Sequence, residues 1–241
     1  MTLSNPVWLP QQPWKGGLVD RGLSFPDGVE WRTGVRFNST GCVAPLLQDA
    51  CNPTDKTPTR VGDEHEFLPT NVIQPVECAT ITNIDLERLA RERLTATTEW
   101  ALGQSLLLGT ATEPDNPALS DVVATAYGCA EEALSKTLAL AAQAAFGTRL
   151  TVHLTVEAAV LLAERIAAID WVTFIVSPGY GTGAQIWVTG PTYVGVDADV
   201  VLSGTFREQN TAQNIAERLV LAVFDPCVLF SGTFPNDCGI L

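Results

Sequence analysis

The longest periodic pattern in the chain begins near residue 82 and continues to residue 108. Apolar side chains recur there every three or four positions, the spacing of one face of an α-helix. Opposite charges also stand four residues apart, as in Glu87 with Arg91. The pattern predicts a helix over Thr82–Leu108, with Thr82 and Asp85 as a capping box and Gly109 at its end. Such a helix is about 40 Å long, which is unusual for a compact domain.

Shorter helices and strands follow in mixed order. The helical patterns cover Cys129–Phe146, closed by Gly147, and Thr155–Ala168, with Thr155 as N-cap. Alternating or short apolar runs predict the strands Arg149–Leu154, Trp171–Val176, Gln185–Val188, Thr192–Val196, Val200–Phe206, Glu217–Phe224 and Cys227–Phe230. The helices and strands do not alternate in a regular βαβ rhythm, so the predicted fold class is α+β.

The first 80 residues have another pattern, rich in Pro, Gly, Asn and Thr. The strand-like stretches Glu30–Phe37 and His65–Ile73 flank a turn-rich segment, Asn52–Pro58. This arrangement predicts a long two-stranded hairpin with an exposed tip. A segment of this kind cannot bury a core of its own, so we expect neighbouring copies of the chain to hold it in place.

Composition narrows the possible functions. Only 17% of the residues are charged and 46% are hydrophobic, against a usual charged fraction of about 25%. Either a well-filled core or burial against other subunits produces such a balance. The net charge is −13, and no basic stripe is visible, so specific nucleic-acid binding is not expected. The chain has neither a secretory signal pattern nor an apolar stretch long enough to predict a membrane span.

The cysteines allow two interpretations. Six of them lie far apart without a CxxC pair, namely Cys42, Cys51, Cys78, Cys129, Cys227 and Cys238. With only two histidines in the chain, a zinc site is not expected. Buried, reduced thiols are one interpretation. The other is a Cys42–Cys51 or Cys227–Cys238 disulfide that forms in an oxidising medium after release.

Two motifs resemble binding sites. The glycine-rich stretch Ser177–Gly183 follows a predicted strand, as a phosphate-binding loop does. A second strand follows it, however, and it lacks the P-loop lysine, so we expect a flexible loop between strands. His65 lies in the charged run Gly62–Glu66. Because catalytic zinc needs three protein ligands and no second histidine is near, this run is interpreted as a solvated surface.

The remaining candidates for acid–base chemistry are also explained structurally. His153 alternates with apolar residues and is expected to be a hydrogen-bonded strand histidine. Asp197 and Asp199 flank a turn, where solvent exposure accounts for them. No nucleophile elbow is present. We therefore predict no catalytic residue, no cofactor-binding residue, no metal site and no enzyme activity.

The order of elements resembles the major capsid proteins of tailed bacteriophages, which have the Hong Kong 97-type fold. That family also has an N-terminal arm, an extended loop, a long spine helix and an α/β core. The late strand Ala216–Pro226 fits this order, and Pro178–Gly183 followed by Trp187–Gly190 is similar to virion proteins of actinobacterial phages.

The resemblance implies a division of the chain into the parts of that fold. The arm is expected at residues 1–29 and the extended hairpin loop at 30–75. A peripheral domain with the spine helix is expected at 76–128, completed by strands within 200–226. An axial domain is expected at 129–200, with 227–241 returning to it.

The implied function is a major capsid protein that self-assembles, as hexamers and pentamers, into the icosahedral shell around a phage genome. It would be made in the host cytoplasm and located in the virion, with no cofactor and no membrane contact. Separate scaffold, portal and decoration proteins are possible partners. The alternatives are a head-completion adaptor or decoration protein, an encapsulin-like nanocompartment shell and, more distantly, an unrecognised enzyme.

Overall fold

The computed structural model describes residues 15–38, 64–78, 85–109, 116–206 and 211–235. The helices within these residues are α1 Leu18–Arg21, α2 Leu86–Leu108, α3 Ala130–Ala144, α4 Val156–Leu161 and α5 Ala163–Ala168. The strands are β1 Leu23–Ser24, β2 Val35–Asn38, β3 Glu64–Phe67, β4 Thr70–Cys78, β5 Thr125–Ala126, β6 Thr151–Leu154, β7 Thr173–Val176, β8 Gln185–Thr189, β9 Tyr193–Val196, β10 Val200–Phe206, β11 Thr211–Val223 and β12 Leu229–Thr233.

Helix α2 is the predicted long helix, with a later start. Its N-cap is Asp85, whose side chain accepts a hydrogen bond from the Arg88 backbone N–H, and not Thr82, which lies outside the described residues. Asp85 satisfies an otherwise unpaired N–H group of the first turn. Gly109 ends the helix with a positive φ of 74°. The helix spans 23 residues, or about 35 Å.

One sheet is organised around β11. The first half of β11 pairs with β10 and its last four residues pair with β9, all antiparallel. Strand β4 runs antiparallel along the other side, and β1 adds a short parallel pairing to β9. Helix α2 covers one face of this sheet, where its apolar side contacts Val72, Val76, Ala216 and Val220 in the first hydrophobic core.

The predicted hairpin is present but shorter than expected. Its base is the antiparallel pair β2–β3, with Val35 opposite Phe67, and the predicted tip lies outside the described residues. The second strand does not continue through Ile73, because Pro69 interrupts it and offers no N–H. The N–H and carbonyl of the preceding Leu68 instead bond to the Asn116 side chain, at 2.7 and 2.8 Å.

The other sheet has the order β5–β12–β8–β6–β7. Helix α3 packs on it and, with α4 and α5, encloses a second hydrophobic core. The single helix predicted over 155–168 is wrong, because the chain departs from helical geometry at Leu162, with φ −104° and ψ 9°. This bend places the Leu162 side chain, which is fully buried, in the second core. The N-cap at Thr155 is confirmed.

The interpretation of the cysteines as reduced thiols is wrong for two of them. Cys129, at the N-cap of α3, and Cys227, in the turn between β11 and β12, are both disulfide-bonded. The other four cysteine side chains lie outside the described part of the chain. None of the helices in that part is long and apolar enough to cross a membrane.

Candidate functional site

His153 is a structural residue in the centre of the second sheet. It lies on β6 and is completely buried. Its Nδ1 is 2.7 Å from the Tyr180 hydroxyl, and its Nε2 is 3.1 Å from the hydroxyls of Thr189 and Thr192. Burial lowers the pKa of His153 to about 3. The imidazole is therefore neutral and fully engaged, which confirms the prediction of a hydrogen-bonded strand histidine.

The charged run around His65 forms part of the hairpin base. Glu64 and Glu66 stand on β3 and are exposed, and Arg36 on β2 lies within 3.5 and 3.9 Å of their carboxylates. His65 is opposite Phe37 in the same pair of strands. The carboxylates thus serve as ion-pair partners across the hairpin.

The first half of the glycine-rich loop is packed against α2, whereas Gly181–Gly183 are exposed between the strands. Ser177 caps a 3₁₀ turn over Pro178–Tyr180, in which Gly179 and Tyr180 are buried. The backbone of Gly179 lies directly against Gly103 of α2, and the Gln104 side chain donates a hydrogen bond to its carbonyl. A side chain at either glycine would collide with backbone. The turn is occupied by protein, so it has no room for a phosphate.

Solvent exposure was expected to account for Asp197 and Asp199. In the structure, each of them forms ion pairs with arginine side chains. Arg32 donates two hydrogen bonds to Asp197, at 2.8 and 3.0 Å. These bonds lower the pKa of Asp197. The Arg32 guanidinium also lies 5.5 Å from the centre of the Trp31 ring, a cation–π distance.

Asp199 connects helix α2 with strand β11. It accepts hydrogen bonds from Arg91 on α2 and from Arg218 on β11. Partial burial opposes ionisation of Asp199, but a hydrogen bond from its own backbone N–H and the charges of the two arginines outweigh it, so the pKa is lowered. Arg218 is itself mostly buried and reaches the Thr98 hydroxyl at 3.5 Å. The cluster fixes the position of α2 on the sheet.

Glu99 is a buried carboxylate that the sequence analysis missed. It lies on the inner side of α2, and its two oxygens accept the backbone N–H groups of Leu18 and Val19, at 2.7 and 3.0 Å. Burial raises the pKa of Glu99, although both N–H donors act in the opposite direction. Gly17 lies so close to the carboxylate that a Cβ would collide with it. The only sequence signal is a glutamate on the apolar side of the helix.

The described part of the predicted arm is therefore held by its own chain. Besides the Glu99 contacts, β1 pairs with β9, and the Trp31 ring lies against Gly195, where a Cβ would overlap it. Residues 15–33 need no neighbouring copy for these contacts. Within the arm, the expectation that neighbouring copies hold the chain in place now applies only to residues 1–14, which lie outside the described residues.

The outer face of the first sheet carries exposed apolar side chains in the described part of the chain. Ile73, Val200 and Leu202 are 55, 53 and 55% exposed. The strand register places these three residues on the side facing away from α2, where Val200 and Ile73 flank Glu217. Pro75 and Ile215 continue the same side, one row along. We call these five residues the apolar sheet face. Exposed apolar side chains that cluster on one face in this way, here around Glu217, are typical of interaction sites.

The described residues contain no group of three or more histidine, cysteine or acidic side chains that could hold a metal ion. Each of the buried polar groups described above has hydrogen-bond partners within the protein. His153 bonds to hydroxyl groups, Glu99 to backbone N–H groups and Asp199 to arginines. The arrangement suits holding elements together and offering a surface to another protein.

Comparisons with known proteins identify this fold. No family model and no curated protein matches the chain. Among solved structures, a chain of Gordonia phage Cozz matches with a TM-score of 0.61 at 11% identity, over 99% of this chain and 92% of that one. A chain of the capsid of the empty GTA particle matches with a TM-score of 0.59 at 10% identity, over 98% and 94%. A chain of the virus-like particle from Pyrococcus furiosus matches with a TM-score of 0.53 at 11% identity, over 83% and 86%.

The first two of these similarities extend over nearly the whole chain. At such low identity they establish the fold. The chain has the α+β fold of phage capsid subunits, the Hong Kong 97-type fold that the order of its elements predicts.

Proposed function

We propose that this chain is a major capsid protein that self-assembles into the icosahedral head shell of a bacteriophage. The observation that carries the proposal is the near full-length match to a chain from the capsid of the GTA particle. In the virion, the protein would form hexamers and pentamers with copies of itself. Scaffold, portal and decoration proteins are further proposed partners.

The apolar sheet face supports self-assembly on physical grounds. A monomer that leaves Ile73, Val200 and Leu202 exposed in one patch gains free energy when another protein surface covers them. The low fraction of charged residues, 17%, agrees with a molecule whose outer surface is largely used in interfaces, because interface cores are depleted of charge.

The domain division is also proposed. The core beneath α2 supports a peripheral domain at 76–128 that strands from 200–226 complete, because Ala90 and Leu94 of α2 lie in one core with Ala216 and Val220 of β11. The core around α3 supports an axial domain at 129–200 to which 227–241 returns, because β12 pairs with β8. The arm at 1–29 and the extended loop at 30–75 complete the division.

A shell that does not enclose a phage genome is the second candidate, and the match to a chain of the virus-like particle from Pyrococcus furiosus is the observation that raises it. The two shells share a fold and differ in what they enclose. We propose that the chain is not an enzyme. Its neutral, buried His153 and the carboxylates of Asp197 and Asp199 are engaged in structural contacts, which supports this proposal.

Electron microscopy of the purified protein tests the proposal. Closed shells of uniform diameter are expected; rings of about a dozen subunits would indicate an adaptor, and monomers at high concentration would contradict self-assembly. Particles isolated from producing cells and treated with nuclease then separate the two candidates. Protected DNA of genome length supports a phage head, whereas protein cargo without DNA supports a compartment.

A further inference from the structure

Glu217 is a charged residue without an ion pair among the side chains of the apolar sheet face. Val200 and Ile73 are its cross-strand neighbours on that side of the sheet. The Asn71 amide lies 3.4 Å from its carboxylate, and no lysine or arginine of the described part of the chain forms an ion pair with it. A carboxylate that is covered without a cation is costly. The surface that covers this face must therefore bring a basic side chain together with apolar ones.

The described residues contain three basic side chains without an ion pair, namely Lys15, Arg93 and Arg149; the others are paired. Arg93 is partly buried on α2, and Lys15 is followed by two glycines. Arg149 is exposed, and Asp170, which lines the same groove, forms no ion pair with it. Arg149 is thus a cation available to another surface.

Arg149 lies at one end of the second sheet, close to exposed aromatic residues. Strands β6 and β7 are parallel and begin side by side. Arg149 precedes β6 by two residues and Trp171 precedes β7 by two, so both lie at the same end of neighbouring strands. Phe146 lies in the turn between α3 and β6, and Trp171 is 58% exposed. We call Phe146, Arg149 and Trp171 the Arg149 patch.

Phe146 has an uncommon backbone conformation. Its φ is 44°, and among the described residues it is the one residue other than glycine with a positive φ. A bulky side chain rarely adopts this conformation, and residues held in it cluster at functional sites. Because Phe146 is also 49% exposed, burial in its own subunit accounts for only part of its surface. A contact with another protein accounts for the rest.

The Arg149 patch is complementary to the apolar sheet face. A guanidinium can donate two parallel hydrogen bonds to a carboxylate, and the two aromatic rings can cover the aliphatic side chains around Glu217. Arginine, phenylalanine and tryptophan are enriched at protein interfaces. Glu217 belongs to the first sheet and Arg149 to the end of the second, and no ion pair joins them within one chain. Their pairing therefore joins two copies.

We propose that the Arg149 patch of one copy docks on the apolar sheet face of the next, with the Arg149 guanidinium bonded to the Glu217 carboxylate. The inference rests on the proposed self-assembly and names the surfaces that it uses. A contact between two different surfaces repeats from copy to copy and closes into a ring when its rotation allows. Hexamers and pentamers are rings of this kind.

Charge reversal in the full-length protein tests the contact. Glu217→Arg and Arg149→Glu each place like charges in it, so the fraction of protein that sediments as large assemblies should fall by about tenfold or more. The double variant Glu217→Arg/Arg149→Glu restores opposite charges and should assemble with the wild-type yield. Sedimentation velocity measures assembly, and far-ultraviolet circular dichroism measures folding. Because Arg149 is exposed, its reversal tests the contact without disturbing a core.

Two control variants separate pairing from net charge. Glu217→Arg combined with Lys15→Glu has the same net charge as the double reversal and should stay unassembled. Glu157→Arg changes an exposed glutamate of α4 by the same charge as Glu217→Arg and should assemble as the wild type does.

Single reversals that assemble with the wild-type yield, or a double reversal that does not recover assembly, would overturn this contact and leave the proposed function standing. A wild-type chain that stays monomeric at high concentration would overturn the proposed function, and the contact with it.

Discussion

The carboxylate of Glu99 lies 2.7 Å from the backbone nitrogen of Leu18, although 81 positions separate the two residues in the chain. The same carboxylate accepts the N–H of Val19. A single side chain on the long helix thus fixes the start of α1, and with it the described part of the N-terminal arm.

Glu99→Gln is expected to weaken this attachment. An amide presents an NH₂ group to one of the two N–H donors, so a buried donor loses its acceptor, at a cost of about 1–3 kcal/mol in the free energy of unfolding. Urea denaturation measures the loss, and tryptic cleavage after Arg21 should become faster. Glu87→Gln, an exposed glutamate on the same helix, is the control. Equal effects of the two substitutions would contradict the assigned role.

The burial of His153 predicts a loss of stability in acid. The unfolded chain binds a proton near pH 6.5, but the folded chain binds it only near pH 3. The stability present at pH 7 is therefore lost as the pH falls through this window, by roughly 3 kcal/mol at pH 4. Comparing urea unfolding of the wild type and His153→Gln at both pH values isolates this contribution. A wild type that loses no more stability than the variant would show that the histidine is not held neutral.

Asp199→Asn should loosen α2 from the first sheet. The substitution leaves Arg91 and Arg218 facing each other without the carboxylate between them. Because Asp199 is partly exposed, solvent reduces the cost to about 1–3 kcal/mol. Thermal denaturation of the variant measures it, with the exposed Asp27→Asn as control. An Asp199 variant as stable as this control would mean that the ion pairs contribute nothing.

Charge placed on the apolar sheet face should block assembly and leave the subunit folded. Ile73→Glu and Leu202→Glu change side chains that are 55% exposed, so the free energy of unfolding should change by only about 0.5 kcal/mol. A buried carboxylate in an interface, by contrast, is costly. Sedimentation velocity should find these variants as small species.

Val123→Glu provides the matched control for that experiment. Val123 is 90% exposed and lies outside the apolar sheet face, so this variant should assemble with the wild-type yield. Shells formed by Leu202→Glu at the wild-type yield would contradict the assignment of this face to an interface.

Local patterns predicted the elements that local interactions determine. The periodicity of α2 and the cap at Thr155 depend on residues within a few positions of each other, so both are visible in the sequence. The interruption of the strand after Phe67 depends on a distant residue as well as on a local one. Pro69 gives a local reason for it, but the Asn116 side chain that satisfies Leu68 comes from 48 residues away.

The hydrogen-bonded acidic residues were harder to predict, because their partners are also distant in the chain. Asp197 is bonded to an arginine 165 residues away, and the sequence around it shows only a turn. The buried state of Glu99 likewise depends on a backbone segment from the start of the chain. A sequence pattern specifies which side of a helix is apolar, but it does not specify which distant group approaches that side.

The position of β11 in the chain has a consequence for how the protein is made. The partner of β4, residues 212–220, begins about 134 residues after the end of β4. At ribosomal rates of 5–20 residues per second, β4 waits roughly 7–27 s with an unpaired edge. The first sheet, and the docking of α2 on it, must therefore form late in translation or after release. During that interval the nascent chain exposes an unpaired strand edge that can pair with another chain, and we expect its yield to depend on chaperones.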